Sequence, residues 1–404
     1  MHGGSPVTDR VVIDTRADYL RAVEEIAGGE GPVAVDAERA SGFRYSQRAY
    51  LIQIFRRGSG VFLFDPPAIG RFDELQAVIG SEEWVLHAAS QDLACLREVG
   101  LDPSTVFDTE LAARLLGLPR VGLGTVVEEK LGIVLRKEHS AADWSTRPLP
   151  DSWLEYAALD VEFLVDLRDV LADDLVAADK VEIARQEFDA TVARPEKAPR
   201  VDPWRRLSGI HSVRGGRGLA IARELWESRD ALARERDVAP GRLIPDTSIV
   251  AAVRTQPTSM NALAAQKDFS GRASRSEIDR WWAAIERGRT TTDPPVARGT
   301  GETLPPPRSW ADRNPEADAR LKAARPLLIA RAEEMQLPVE NLLTPEFLRR
   351  LAWIPPEPTT PETISEVLEQ LGARPWQIDA TAQSIAEAFV AAHQTPVAAE
   401  SDES

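Results

Sequence analysis

Asp36 and Glu38 stand two residues apart in Val33-Ala-Val-Asp-Ala-Glu38. In an extended strand that spacing turns both carboxylates to one face. Like charges side by side on a sheet repel unless a cation joins them, and a hard divalent metal with oxygen ligands is the natural partner. Val33 and Val35 set the pair at the end of a strand expected to be buried, which an ordinary solvated pair of acids would not need. A third acid, Asp92, closes His87-Ala-Ala-Ser-Gln-Asp92, about two residues into a helix that begins where a strand stops. The plain alternative there is an acid favoured by the helix dipole. Tyr156-Ala-Ala-Leu-Asp160 spaces a phenol and a carboxylate one helical turn apart on one face.

Those residues need elements to hold them. Val33 to Glu38, Ala49 to Arg57 and Gly60 to Phe64 alternate or run apolar over strand lengths and read as a three-stranded meander. Trp84-Val-Leu-His87 reads as a further strand leading into a helix from about Ser90. Helical periodicity returns at Glu110 to Leu116 and from Pro150 to Val176. The sum is an α/β domain with a mixed sheet over residues 1–195. Beyond Pro195 strand signals stop. Residues 200–289 read as helices punctuated by Gly215-Gly216, Pro240-Gly241 and Pro257, 290–310 as a Pro/Thr/Gly-rich linker, 311–393 as a second helical domain and 394–404 as a disordered tail.

The two helical parts resemble each other. Ala233 to Asp246 lines up with Ala332 to Pro345 at a constant offset, pairing Val238 with Leu337, Leu243 with Leu342, Ile244 with Leu343 and Ile249 with Leu348. One residue of slippage later, Ile278-Asp279 and Ile285 match Ile378-Asp379 and Ile385.

In order along the chain, the Asp-x-Glu strand, the later acid and the Tyr-x-x-x-Asp helix resemble the tyrosine-bearing DEDD 3′–5′ exonucleases. The likeness extends to the ribonuclease D family through His87-Ala-Ala-Ser-Gln-Asp-Leu93, Phe107-Asp-Thr109, Val126-Val-Glu-Glu-Lys-Leu131, Lys137-Glu138, Asp143-Trp-Ser-Thr-Arg-Pro-Leu149 and Tyr156-Ala-Ala-Leu-Asp-Val161. Residues 202–288 are similar to an HRDC domain, a helical nucleic-acid-binding module, and the last helical part to a diverged second copy. The resemblance implies a ribonuclease H-like catalytic domain followed by two all-α HRDC-like domains, and a 3′–5′ exoribonuclease. It further implies two Mg²⁺ or Mn²⁺ ions held by Asp36, Glu38, Asp92 and Asp160, with Asp36 bridging and Tyr156 orienting the attacking water. Structured RNAs such as tRNA precursors are the implied substrates and 5′-mononucleotides the product. Lys137, Arg147, Arg205, Arg206, Arg214 and Arg217 are candidate RNA contacts. Ala37 and Arg39 depart from the family pattern, where many relatives carry a hydroxyl or apolar residue; the arginine would change packing or add a phosphate contact. A DNA exonuclease of the same fold and a non-catalytic RNA-binding scaffold stay open as alternatives.

Composition limits the remaining classes. With 404 residues and 43% hydrophobic content, two or three cores are expected. Cys95 is the single cysteine, which excludes an internal disulfide and a cysteine metal cluster. The net charge of −16 argues against a protein that coats nucleic acid generally. Residues 200–290, however, carry 17 Lys and Arg against 11 Asp and Glu, a basic segment within an acidic chain. No apolar run reaches a membrane span and the N-terminus carries no apolar leader, so the chain reads as cytoplasmic. Arg214-Gly-Gly-Arg-Gly218 lacks the Lys-Ser/Thr of a P-loop and reads as a flexible turn. Gly122-Leu-Gly124 lacks the third glycine of a dinucleotide site, so neither an NTP nor a dinucleotide is expected. Trp226, Trp281 and Trp282 read as core residues ahead of base-stacking platforms.

Overall fold

The computed structural model describes residues 11–135, 141–195, 198–296 and 304–394. The expectations for Lys137, Glu138 and the tail from residue 395 on lie outside the described residues.

Six strands form one mixed sheet in the order β1-β4-β3-β2-β5-β6: β1 (Val12–Ile13), β2 (Glu30–Arg39), β3 (Ala49–Arg57), β4 (Gly60–Phe64), β5 (Glu83–Leu86) and β6 (Thr105–Asp108). The meander β2-β3-β4 is antiparallel as its pattern implies, whereas β1, β5 and β6 join in parallel. Strand β1 escapes the sequence pattern because two residues are too few to display a period of two, and β6, Thr105–Asp108, offers only Val106 and Phe107 as an apolar run. Along β2 the alternation sorts the two faces. Val33, Val35 and Ala37 enter a core with Ile52, Ile54, Phe64 and Phe72. Ala34 enters the core on the opposite face with Val85, Val161 and Leu164, and Asp36 and Glu38 continue that second face toward the strand end.

Over that second face lie the helices Asp151–Glu162 and Leu164–Ala177. The expected single stretch from Pro150 to Val176 is thus two helices, broken at Phe163. The first buries Leu154, Ala157, Ala158 and Val161, which orients the neighbouring Tyr156 and Asp160 across the sheet end.

The helical remainder forms two further cores. One gathers Trp204, Leu225, Ile249, Phe269 and Trp281 from Gly215–Arg236, Asp246–Thr255, Ile278–Thr290 and the intervening turns. Trp281 is fully buried, and Trp226 and Trp282 pack against the same core, in line with the packing reading. The other joins Trp310, Leu328, Leu351, Ile364 and Phe389 from Pro315–Glu334, Pro345–Trp353, Pro361–Gln370 and Pro375–Gln394. The internal repeat reappears as structure. Each long first helix ends in a left-handed residue, Asp237 (φ 47°) or Gln336 (φ 51°), followed by a one-turn helix, Pro240–Leu243 or Val339–Leu342. All four apolar pairs matched in sequence pack into the corresponding cores.

Two expectations need correction. Trp310, assigned to the linker by composition, is fully buried in the third core and Leu304 packs beside it, so the described part of the connection is 291–296. Arg214-Gly-Gly-Arg-Gly218 is no free turn: the helix starts at Gly215, and a Cβ on Gly218 would meet Val213 at 3.0 Å, so the glycine permits close packing. No helix among the described residues is long and apolar enough to cross a membrane.

Candidate active site

Strand β2 delivers Asp36 and Glu38, and the helix Asp151–Glu162 delivers Asp160 from above. Carboxylate oxygens of the three all lie within 4.8 Å of one another. They sit at the base of a cavity of about 510 Å³, whose wall also includes Arg39, Ser41, Phe43, His87, Asp92 and Tyr156. That volume falls in the range of ligand pockets.

Asp92 reaches the same cavity by a different route. It follows a 3₁₀ turn, Ala89–Gln91, and precedes the helix Leu93–Glu98 without capping it. It thus stands at the helix N-terminus as the sequence implies, but its side chain makes no cap bond and is buried in the cavity wall. Its position depends on Asp108. That carboxylate accepts from the backbone N–H groups of Ala88 (3.0 Å), Ala89 (2.9 Å), Glu110 (3.0 Å) and Leu111 (3.1 Å), holding Ala88 in a left-handed conformation with φ 64°. Asp108 caps one helix and pins the loop that aims Asp92. The sequence did contain the signal, as the cap-type acid of Phe107-Asp-Thr109.

Electrostatically the site is short of positive charge. Burial raises all four carboxyls, Asp36, Glu38, Asp92 and Asp160, above the ordinary carboxylate range, and repulsion from neighbouring acids adds to it at Glu38, Asp92 and Asp160. Arg39 is the one permanent cation among the described residues lining the cavity, and its Nη2 is 3.9 Å from Asp92. One guanidinium at that distance leaves the cluster under-neutralised. A set of clustered hard oxygen donors fits a divalent cation such as Mg²⁺. The Tyr156 hydroxyl hydrogen-bonds Asp160, and burial together with the Asp160 and Glu38 charges drives the phenol well above its usual value. Burial pushes His87 down to about 4, so this cavity residue is neutral at pH 7; its Nδ1 lies 2.9 Å from Thr109 Oγ1. Cys95 is buried behind Asp92, its thiol pushed up to about 12 mainly by burial, and belongs to the core.

Three family models match the chain: a 3′–5′ exonuclease domain over residues 11–176, an HRDC domain over 218–285 and a 3′–5′ exonuclease C-terminal domain over 303–389. Ribonuclease D of Jannaschia sp. (strain CCS1) is 30% identical over 79% of this chain and 83% of its own length. The chain belongs to the ribonuclease D family. Ribonuclease D of Escherichia coli (strain K12) is 28% identical over 87% of this chain and 93% of its own. A crystal structure of a Bifidobacterium adolescentis protein superposes with a TM-score of 0.87 at 36% identity, covering 95% of this chain and 98% of that one. The Escherichia coli RNase D structure shares the fold, with a TM-score of 0.66 at 24% identity over 90% and 99% of the two chains. As a member of the ribonuclease D family the chain is a 3′–5′ exoribonuclease with a mixed-sheet catalytic domain and HRDC-type helical domains.

The basic candidates fare unevenly. Arg147 belongs to the ribonuclease D-like motif, yet all five of its donors are taken inside the protein: by both oxygens of Asp65 (2.5 and 2.9 Å) and by the carbonyls of Tyr50, Trp144 and Thr146 (2.8 Å each). It ties the segment carrying Trp144 to β3 and has no donor left for a phosphate, which removes it from the RNA contacts expected from sequence. Arg205 is half-committed, pairing with Asp202 at 2.8 Å and stacking on Trp204 with its guanidinium carbon 4.3 Å from the ring centroid. Arg206, Arg214 and Arg217 are exposed, and Arg217 also donates to the Thr291 carbonyl at 2.7 Å. Of the two departures from the ribonuclease D pattern, Ala37 is simply core, while Arg39 turns into the cavity beside Asp92.

Proposed function

We propose that this chain trims the single-stranded 3′ tails of structured RNAs such as tRNA precursors, releasing 5′-mononucleotides by two-metal-ion hydrolysis. The observation that carries the reading is the convergence of Asp36, Glu38 and Asp160 within 4.8 Å at the base of a cavity that Asp92 also lines. Asp36, Glu38 and Asp160 would hold one Mg²⁺ or Mn²⁺ and Asp36 with Asp92 a second. The cations supply charge neutralisation of the phosphodiester and acidify water for an in-line attack.

The protein groups have complementary tasks. Tyr156, bonded to Asp160 and kept protonated by its surroundings, cannot serve as a general base near pH 7; it aims a water by hydrogen bonding. Neutral His87 contributes no cation to attract phosphate to the wrong wall. Among the described residues lining the cavity, Arg39 offers the one fixed positive charge to an incoming phosphate. The Escherichia coli relative is described as an exoribonuclease involved in structured RNA processing, which supports the same substrate class here.

The test is to sequence RNA 3′ ends after incubation of a tRNA precursor with purified protein in Mg²⁺, in Mn²⁺ and in EDTA, with matched DNA strands in parallel. Stepwise shortening with 5′-mononucleotide release, abolished by EDTA, is expected. Metal-independent cleavage would overturn the mechanism, and preferential DNA degradation would overturn the substrate class.

A further inference from the structure

The active-site cavity has a wall that the metal carboxylates do not explain. Ser41, Gly42 and Phe43, from the connection between β2 and β3, line it together with Tyr156 and Asp160 of the helix Asp151–Glu162. This connection begins directly after the strand that carries Asp36 and Glu38. It is held from outside the catalytic domain.

Its contacts come from the first helical domain. Arg242 lays its guanidinium over the Phe43 ring, 4.0 Å from the centroid, and its Nε donates to the Gly42 carbonyl at 2.9 Å. The Ala239 N–H donates to the Phe43 carbonyl at 2.9 Å. Asp237 accepts from the Ser46 N–H at 2.8 Å and from the Tyr50 hydroxyl at 3.3 Å. The Tyr45 hydroxyl donates to Asp230 at 3.1 Å, and the Tyr45 ring packs against the apolar core of that domain. The connection is also tied inward, where Arg44 Nε donates to Ser145 Oγ at 2.8 Å. A guanidinium stacked on an aromatic ring fixes the ring plane, and Phe43, half-buried against the cluster that includes Tyr50 and Trp144, keeps the part of its ring that lines the cavity. An aromatic face in a nucleic-acid site is a platform on which a base can stack.

We propose that Arg242 is a positioning residue of the exonuclease site: by stacking on Phe43 and holding the Gly42 carbonyl, it fixes the wall on which the base of the 3′-terminal nucleotide rests. The HRDC domain then does more than hold distant phosphates; it completes the grip on the nucleotide to be removed. The inference rests on the proposed exoribonuclease reading.

The experiment uses the full chain and two short RNAs too small to span the helical domains, one ending in a normal nucleotide and one in an abasic ribose. Wild type, Arg242→Ala, Arg242→Lys and Phe43→Leu are compared in Mg²⁺ for kcat and KM, with the melting temperature of each as a check on folding. On the normal end, Arg242→Ala lowers kcat/KM at least about tenfold, since one cation–π contact and one charged hydrogen bond together amount to more than one decade. Lysine restores part of it, since it keeps the charge and a donor without the planar stack. On the abasic end, wild type is itself slow and Arg242→Ala costs less than about twofold, because the group that the wall holds is gone. Equal losses on both ends would overturn the base-holding role, and no loss on the normal end would overturn the positioning role. Wild-type protein inactive on both RNAs would instead refute the exoribonuclease reading.

Discussion

Replacing Glu38 by glutamine should stabilise the metal-free protein, and the gain should grow with pH. Glu38 is flanked by Asp36 and Asp160 within 4.8 Å, and burial with their charges raises its carboxyl far above the ordinary value of about 4.3. At 4.8 Å, one ionised pair repels by about 3.5 kcal/mol at an effective dielectric constant of about 20. The folded metal-free protein avoids that repulsion by keeping the Glu38 proton, which the unfolded chain releases. A group whose folded pKa is raised contributes its full stability below the unfolded value and loses it as pH rises toward the folded value. At about 1.36 kcal/mol per pH unit, the loss is roughly 1 kcal/mol at pH 5 and roughly 4 kcal/mol at pH 7. Glutamine does not titrate and is spared it. In EDTA, the catalytic-domain transition of Glu38→Gln should therefore rise above wild type by a few degrees at pH 5 and by about 8–15 °C at pH 7. With saturating Mg²⁺ the order reverses, because the wild-type site gains binding energy that the variant forfeits. Differential scanning calorimetry at both pH values, with EDTA and with Mg²⁺, makes the measurement. A pH-independent difference in EDTA, or destabilisation by the substitution there, would refute the account of a cluster strained by its own charge.

Tyr156→Phe keeps the bulk and loses the hydroxyl bonded to Asp160, so kcat should fall roughly 10²- to 10⁴-fold with RNA affinity nearly unchanged; near-normal turnover at saturating RNA would mark Tyr156 as packing only. Asp36→Asn and Asp160→Asn should each abolish trimming while the protein stays folded, read by 3′-end sequencing beside circular dichroism. Neutralising Arg206, Arg214 and Arg217 together should flatten the salt dependence of binding to tRNA-sized RNA by about 2 in log–log slope, if each touches one phosphate of a single strand, and leave dinucleotide hydrolysis unchanged; an unaltered slope in a filter-binding titration would exclude that surface.

The chemistry was legible in the sequence because its carriers sit on elements with a clear period. Asp36 and Glu38 follow from a period of two, and Tyr156 with Asp160 from one helical turn. The carboxylate cluster itself needs the fold: β2 and the Asp151–Glu162 helix are more than a hundred residues apart, and no local pattern says that Asp160 comes down over Glu38. Asp92 was legible by its motif and by its place where a helix follows a strand, but the left-handed alanine and the remote aspartate that hold it give no local signal. Arg147 was misassigned for a related reason. Sequence shows a guanidinium but not the five acceptors that occupy it. The brace on Phe43 was also hidden, since it joins residues 199 positions apart that only the docked domains bring together.

The left-handed turns at Asp237 and Gln336 mark the same place in two related units, and both are joints. Asp237 anchors the first unit to Ser46 and Tyr50. The Gln336 carbonyl accepts from Lys180 Nζ at 3.1 Å and lies 2.6 Å from where a Cβ on Gly117 would stand. Both units dock at this turn, while their charges differ: residues 200–290 hold 17 basic against 11 acidic side chains, and residues 311–393 hold 8 against 13. The Asp237 joint uses a side-chain carboxylate and the Gln336 joint a backbone carbonyl, so the two related turns dock through different groups. The result is a pair of arms with opposite dispositions toward a polyanion, one attracting it and the other repelling it. On charge alone, a polyanion near both arms would be drawn toward the basic one.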